Sequence, residues 1–432
     1  MAVNKRRLNM NTVSSSCGMP GVWRAVSHNE GCVVVYHSPD SCAHITDEME
    51  RNFHLRTMAR GEYKKPVYTA PLITSGIGRN ESIFGGAAKL SSCIDYVVDT
   101  YKPGYLVVTD SCVAGVIGDD TASICEDMEK KHHIPVIYVP VHGFLEGEYY
   151  GGYVDVCRLL IDRFARPAEK IPTTVTVIGE KDGPDSTAMR DFRELLSYFG
   201  ITGYCRFPGY CTKEEIESLG KSAFSVIVGG TPKAYRLLRS VADYMTEKLD
   251  VPHFAADYPA GLLATEEWVR RLGTFMRRED VVPSVIQKIE TSLEEGYAPY
   301  KERLAGQPVT IYLGQRGADS LLKWLLEFLD LGRIPVHRFI LADALTGEDR
   351  RVNREYIEAR WKNPVIEDET AETKLSPKEL VMTTQELSQD NLRQLMLPML
   401  PPIGVRGFLH IYKKLYLLAR RSEGRGVVLY GW

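Results

Sequence analysis

The sequence lacks any apolar run long enough to cross a bilayer, which argues against a helical membrane span. Its basic start, MAVNKRR, leads into polar NMNTVSSS, so it reads neither as a signal peptide nor as a membrane anchor. An excess of one charge is missing too. The 53 Lys and Arg against 56 Asp and Glu leave a net charge of -3, and no basic stripe occurs, which argues against a nucleic-acid binder. No C-x-x-C or H-E-x-x-H is present, so a structural zinc or a zinc hydrolase is not expected. No G-x-S-x-G elbow occurs either. A G-x-x-x-x-G-K-[ST] loop is absent, and neither TSGIGRNES nor VIGEKDGPDS matches G-x-G-x-x-G. If ATP is used, another chain binds it. Nine cysteines, an odd number without regular spacing in 432 residues, do not read as a secreted disulfide framework, so a reducing cytoplasm is expected.

What is present is an alternation of strand-like and helix-like stretches, the pattern of an α/β protein with parallel sheets flanked by helices. It repeats in three blocks, each opening with a strand, a Gly-bearing turn and a helix, which predicts three Rossmann-like domains. The expected division is an arm over 1–24, domain I over 25–168, domain II over 169–305, domain III over 306–397, and a closing turn and helix over 398–432. Expected strands include GCVVVYHS, PVYTAPLITS, GYLVVTDS, IPVIYVPV, TVTVIGE, FSVIVGG, PVTIYLGQ, IPVHRFIL and ELVMTT.

Three cysteines stand apart. Cys17 lies in NTVSSSCGMPG, Cys42 follows an apolar run in VVVYHSPDSC, and Cys112 follows another in YLVVTDSCVAGVIGDD. Thiolates presented from turns at strand ends are the ligands that iron-sulfur clusters use, and ligands bind open α/β sheets at the carboxyl ends of strands. Any one of the three taken alone reads more simply as a small hydrophobe; three at the ends of consecutive α/β units point to ligation. Cys32, Cys93, Cys125 and Cys157 fall inside apolar-periodic stretches, and Cys205 and Cys211 form a looser loop pair. Asp119 and Asp120 read as helix caps, and the pair in KKHHIPV as a solvated helix end.

The order Cys17, YHSPDSC, ITSGIGRNESIFGG and YKPGYLVVTDSCVAGVIGDD resembles the first domain of the nitrogenase component 1 family. The intervals are 25 residues from Cys17 to Cys42 and 70 from Cys42 to Cys112. The resemblance implies three Rossmann-like domains, with Cys17, Cys42 and Cys112 holding an iron-sulfur cluster, either [4Fe-4S] or a P-cluster-like [8Fe-7S], shared with a partner subunit. It further implies an α-like component 1 partner in an α2β2 heterotetramer, and an ATP-dependent iron-sulfur reductase that docks over the cluster and supplies electrons.

Departures from the family pattern refine this. The second turn is HSPDSC rather than H-G-x-x-G-C. VIVGGTPKAYRLLRS has no cysteine to hold a large active-site cofactor, and LPMLPPIGVRGFLHIYKK has no histidine ahead of its turn; His410 follows it and is expected to be packed. The chain therefore resembles a β-type subunit, an oxidoreductase component inactive alone. Without the long amino-terminal extension of typical β subunits, it looks more like part of a nitrogenase-like reductase, such as a methylthio-alkane reductase, than nitrogenase proper. Glu148 falls near the place of an accessory oxygen ligand, although a solvated loop glutamate is the plainer reading. The alternatives are a cofactor-assembly scaffold, a tetrapyrrole-reducing relative, and a metal-free Rossmann-type binding module.

Overall fold

The computed structural model describes residues 17–59, 66–145, 148–179, 183, 186–229, 232–315, 317, 321–385, 387, 392–398, 401 and 403–421. The arm before Cys17 and the chain after 421 lie outside the described residues.

Three separate sheets organise the chain. The first comprises β1 (Cys32–His37), β2 (Leu72–Thr74), β3 (Tyr105–Asp110) and β4 (Val136–Val139), in the order β2-β1-β3-β4. The second holds β5 (Ile171–Ile178), β6 (Gly203–Phe207), β7 (Ser222–Ile227) and β8 (His253–Phe254), in the order β6-β5-β7-β8. The third holds β9 (Val309–Leu313), β10 (Val336–Leu341), β11 (Ile366–Asp368), β12 (Leu380–Thr383) and β13 (Arg393–Met396), in the order β11-β10-β9-β12-β13. All strand pairings within these sheets are parallel. The central strands β1, β3 and β9 are buried along their whole length, because helices cover both faces; hence their nearly continuous Val, Ile, Leu and Tyr.

The first unit carries α1 (Met19–Val26), α2 (Asp40–Ala59), α3 (Glu81–Phe84), α4 (Ala87–Tyr101), α5 (Cys112–Ile117), α6 (Thr121–His132) and α7 (Tyr149–Phe164). In α4 the apolar residues Leu90, Ile94 and Val97 recur every three to four positions and are the buried ones. That helix stops at Lys102, which turns left-handed ahead of Pro103. Asp120 caps α6 through Ser123 N–H, as its sequence position predicts.

The edge strands depart from the sequence expectation. Only Leu72–Thr74 of PVYTAPLITS is strand, and GYCRF, expected as loop, forms β6. The polar stretch around Ile366 contributes β11, paired with β10 from Phe339 to Leu341. Edge strands need only backbone partners on one side, so they carry little of the apolar signature that marks central ones.

The carboxyl-terminal helix Arg406–Ala419 is amphipathic as expected and buries Phe408, Ile411, Tyr412, Leu415 and Leu418. Phe408 and Tyr412 meet Phe328 and Trp324 in one aromatic stack, with Tyr412 and Phe328 rings 4.1 Å apart. Each such ring buried contributes roughly 1.5–3 kcal/mol. His410 sits on the exposed face of this helix, so the expectation that it is packed does not hold.

Candidate functional site

The strand order of the first sheet has its switch point between β1 and β3. The chain leaves β1 toward β2 on one side and returns to β3 on the other, so the crevice at their carboxyl ends is open to a ligand. His37 and Asp110 end the two strands in register. Cys42 follows β1 by five residues and Cys112 follows β3 by two.

The structure brings the three sequence-predicted cysteines to this crevice. They sit at helix starts rather than in free loops: Cys17 just ahead of α1, Cys42 in the first turn of α2, and Cys112 as the first residue of α5. All three are half-buried free thiols. Burial pushes the Cys17 thiol up to about 11, a hydrogen bond from Met19 N–H works against this, and negative charge on Cys42 or Cys112 raises it further. Burial likewise raises Cys42, with Ser38 and Ser41 opposing and Cys112 adding to the rise. Thiols that resist ionisation in one another's company become good thiolate ligands once a cationic centre offsets the charge.

Each pair of cysteines has its own tie. Between Cys17 and Cys42 stands Tyr36, whose hydroxyl donates to Met19 O at 2.7 Å and lies 3.3 Å from Thr46 Oγ1; Thr46 in turn donates to Cys42 O at 3.1 Å. Between Cys17 and Cys112 stands Gly143. It accepts from Gly18 N–H and lies so close to Cys112 that a Cβ there would fall 2.7 Å from Cys112 N. Its φ of 53° is a second reason for glycine. Between Cys42 and Cys112 stands His37, whose carbonyl accepts from Ser111 N–H at 3.1 Å and Ser111 Oγ at 3.2 Å. Ser111 Oγ also caps α5 by accepting from Ala114 N–H.

Behind Cys112, Asp110 is buried at 1% exposure. It accepts from Tyr138 Oη at 2.7 Å and from His142 N–H at 3.1 Å, and its Oδ2 lies 2.9 Å from His142 Nδ1. A buried carboxylate is tolerated when its lone pairs are filled in this way. This arrangement fixes the loop that carries Gly143. The sequence reading missed Tyr36, His37 and Asp110 because they end runs that look purely apolar; a polar residue closing such a run just ahead of a cysteine was the available signal.

Asp119 does not cap the helix that follows it, which Asp120 caps. Its carboxylate reaches back to accept from Gly86 N–H with both oxygens, at 2.9 and 3.0 Å. Glu148 is an exposed residue preceding α7. Cys205 and Cys211, expected as a loop pair, are both buried in the core. His132 ends α6 and lies 2.6 Å from Asp95.

Three soft donors around one crevice fit an iron-sulfur cluster, in which every thiolate binds a different iron. Among the described residues no three His, Cys, Asp or Glu side chains are grouped to hold a single metal ion. Around the crevice lies an apolar rim: Ile83 and Phe84 on α3, Val116 on α5, and Phe144 and Leu145 after Gly143 are all exposed, Phe84 at 85% and Val116 at 76%.

Three parallel sheets flanked by helices, with a crevice at a switch point, define an α/β protein of several Rossmann-like units. The particular family follows from comparison with known proteins. The model of the nitrogenase component 1 type oxidoreductases matches residues 17–396, and the chain belongs to that family. It is 26% identical over 308 residues to the nitrogenase iron-molybdenum cofactor biosynthesis protein NifE of Clostridium pasteurianum, covering 68% of this chain and 61% of that one. It is 25% identical over 289 residues to the nitrogenase molybdenum-iron protein alpha chain of Methanosarcina barkeri, covering 65% and 52%. The chain thus spans roughly half to three fifths of the length of these relatives. Its fold is similar to that of nitrogenase Cp1 at pH 6.5, with a TM-score of 0.63 at 16% identity over 94% of this chain and 92% of that one. Among the described residues no helix is long and apolar enough to cross a membrane.

Proposed function

We propose that this chain is the cluster-bearing, β-like subunit of a nitrogenase-like reductase. In this reading Cys17, Cys42 and Cys112 are thiolate ligands of an iron-sulfur cluster completed by an α-like partner. The observation that carries it is the convergence of three half-buried thiols from three separate elements at the β1/β3 switch point. The cluster, when bound, supplies one-electron storage at low potential. The chain's own residues hold the thiols at set positions through Tyr36, Gly143 and His37. Three cysteines cannot ligate all four irons of a cubane, so a partner or a non-cysteine ligand must complete the set. The exposed rim of Ile83, Phe84, Val116, Phe144 and Leu145 offers the apolar surface such partners need. An ATP-dependent iron-sulfur reductase is the electron donor in this reading, since the sequence has no nucleotide loop of its own.

The likeness to NifE favours a second reading, a scaffold on which a nitrogenase-type cofactor is assembled. Anaerobic purification from the native host, with iron quantified per chain and partners identified by mass, tests the first. A colourless, iron-free protein sinks both. An iron-loaded complex that transfers a preformed cofactor to an empty acceptor, without reducing any substrate when given reductase and ATP, selects the scaffold.

A further inference from the structure

His37 holds α5, the six-residue helix that begins at Cys112, from both ends. Its carbonyl takes the Ser111 N–H and hydroxyl at the amino end. Its imidazole reaches past the carboxyl end, where Nε2 lies 2.9 Å from Asp119 Oδ2. Nδ1 is 2.8 Å from Ser75 Oγ, so the network is satisfied when Nε2–H donates to the carboxylate and Nδ1 accepts from the serine hydroxyl. The His37 side chain is fully buried and that of Asp119 only 6% exposed.

The same carboxylate fixes a third element. Both its oxygens accept from Gly86 N–H, and a Cβ at Gly86 would fall 2.8 Å from His37 Cε1 and 2.9 Å from Asp119 Oδ2, so only glycine lets the three groups meet. Gly118, with a φ of 80°, ends α5 and turns the chain so that Asp119 points back. His37 closes the strand leading to Cys42, whereas Asp119 lies just past the helix that starts with Cys112. A bond between them therefore spans the two segments that carry these thiols.

We propose that Asp119 and His37 are positioning residues for the cysteine site, acting as a unit that sets the separation of Cys42 and Cys112. Neither touches a cysteine sulfur in this role. The proposal rests on the cluster reading above. Groups that orient metal ligands from behind typically cost 10- to 100-fold in metal retention when removed, whereas a contact serving stability alone changes unfolding and leaves the cluster's electronic signature alone.

The test uses the complex of the full chain with its partner subunit, purified anaerobically, with this chain as wild type, Asp119→Asn, His37→Asn and the double variant, and with Asp95→Asn as a remote control. Iron release to a chelator, the electron paramagnetic resonance signal of the dithionite-reduced protein and its midpoint potential are read alongside the thermal unfolding midpoint. Each single variant is expected to release iron about 10-fold faster with an altered signal and potential, the double variant no faster than the worse single one, and Asp95→Asn as wild type. Wild-type release rates and signals in both single variants, or changes that add in the double variant, overturn the pairing. A wild-type complex that holds no iron overturns the cluster reading and this inference together.

Discussion

Gly21 lies directly beneath the carbonyl of Tyr149, so closely that a methyl group on Gly21 would overlap that oxygen and press on Tyr153 N as well. Gly152 returns the relationship from α7, where a Cβ would overlap Gly18 O. Two glycines thus let α1 lie against α7 at backbone contact, and α1 starts two residues after Cys17. The position of one thiol is therefore set by the absence of side chains at Gly21 and Gly152.

Gly21→Ala should push the helices apart and destabilise the protein by about 3 kcal/mol, the upper part of the range for overpacking a tight contact. Denaturant unfolding measures it. A loss below about 0.5 kcal/mol would mean that α1 can shift freely, and that this contact does not hold Cys17.

Cys112→Ala should leave the fold intact and remove most of the iron from anaerobically purified protein, because a half-buried thiol is lost while α5 keeps its Ser111 cap. Iron per chain by colorimetric assay, with circular dichroism as control, decides the matter. Undiminished iron would exclude Cys112 as a ligand.

Iron uptake by the apo protein should strengthen with rising pH. Cys17, pushed from an ordinary value of 9 up to about 11, stays protonated at neutral pH and must lose its proton to bind metal. The apparent affinity should rise up to roughly tenfold per pH unit for each proton released. For the apo protein the sign is opposite: a thiol whose folded pKa is raised favours the folded state below pH 9, and this contribution is lost between pH 9 and 11. The stability difference between wild type and Cys17→Ser should shrink over that window. A pH-independent uptake would contradict the protonated starting state.

Phe84→Ala should weaken partner docking by about 2 kcal/mol with no change in iron content, as expected for an exposed aromatic anchor on an apolar rim. Titration of the purified complex with its reductase, followed by substrate-dependent ATP use, reads the effect. Equal affinity in variant and wild type would place the docking face elsewhere.

Gly143→Ala combines an unfavourable φ with a Cβ 2.7 Å from Cys112 N, so the loop must shift. A loss of about 1–3 kcal/mol is expected, together with faster alkylation of Cys112. Mapping modified thiols by peptide mass tests it; unchanged Cys112 reactivity would show that the loop does not cover this thiol.

Much of the protein is legible without coordinates. Continuous apolar runs such as CVVVYH and YLVVTD mark central parallel strands because both faces are buried, and the Gly-bearing turns between them mark the helices that follow. Cys42 and Cys112 were legible as candidates because ligands bind such sheets at strand ends; Cys32, Cys125, Cys157, Cys205 and Cys211 are buried in the core, whereas Cys17, Cys42, Cys93 and Cys112 are half-buried. The short edge strands β6, β8, β11 and β13 left little trace, since a strand paired on one side needs no apolar pattern. What only the tertiary structure decided is how the thiols are held. Tyr36, His37, Asp110, Asp119 and Gly143 act on partners far away in sequence, as His37 does on Asp119 and Gly143 on Gly18. Local propensity carries no information about such pairs, because a hydrogen bond between distant segments is fixed by how the sheet stacks them. The residue types at Cys17, Cys42 and Cys112 set the chemistry available; the switch point between β1 and β3 set where they meet.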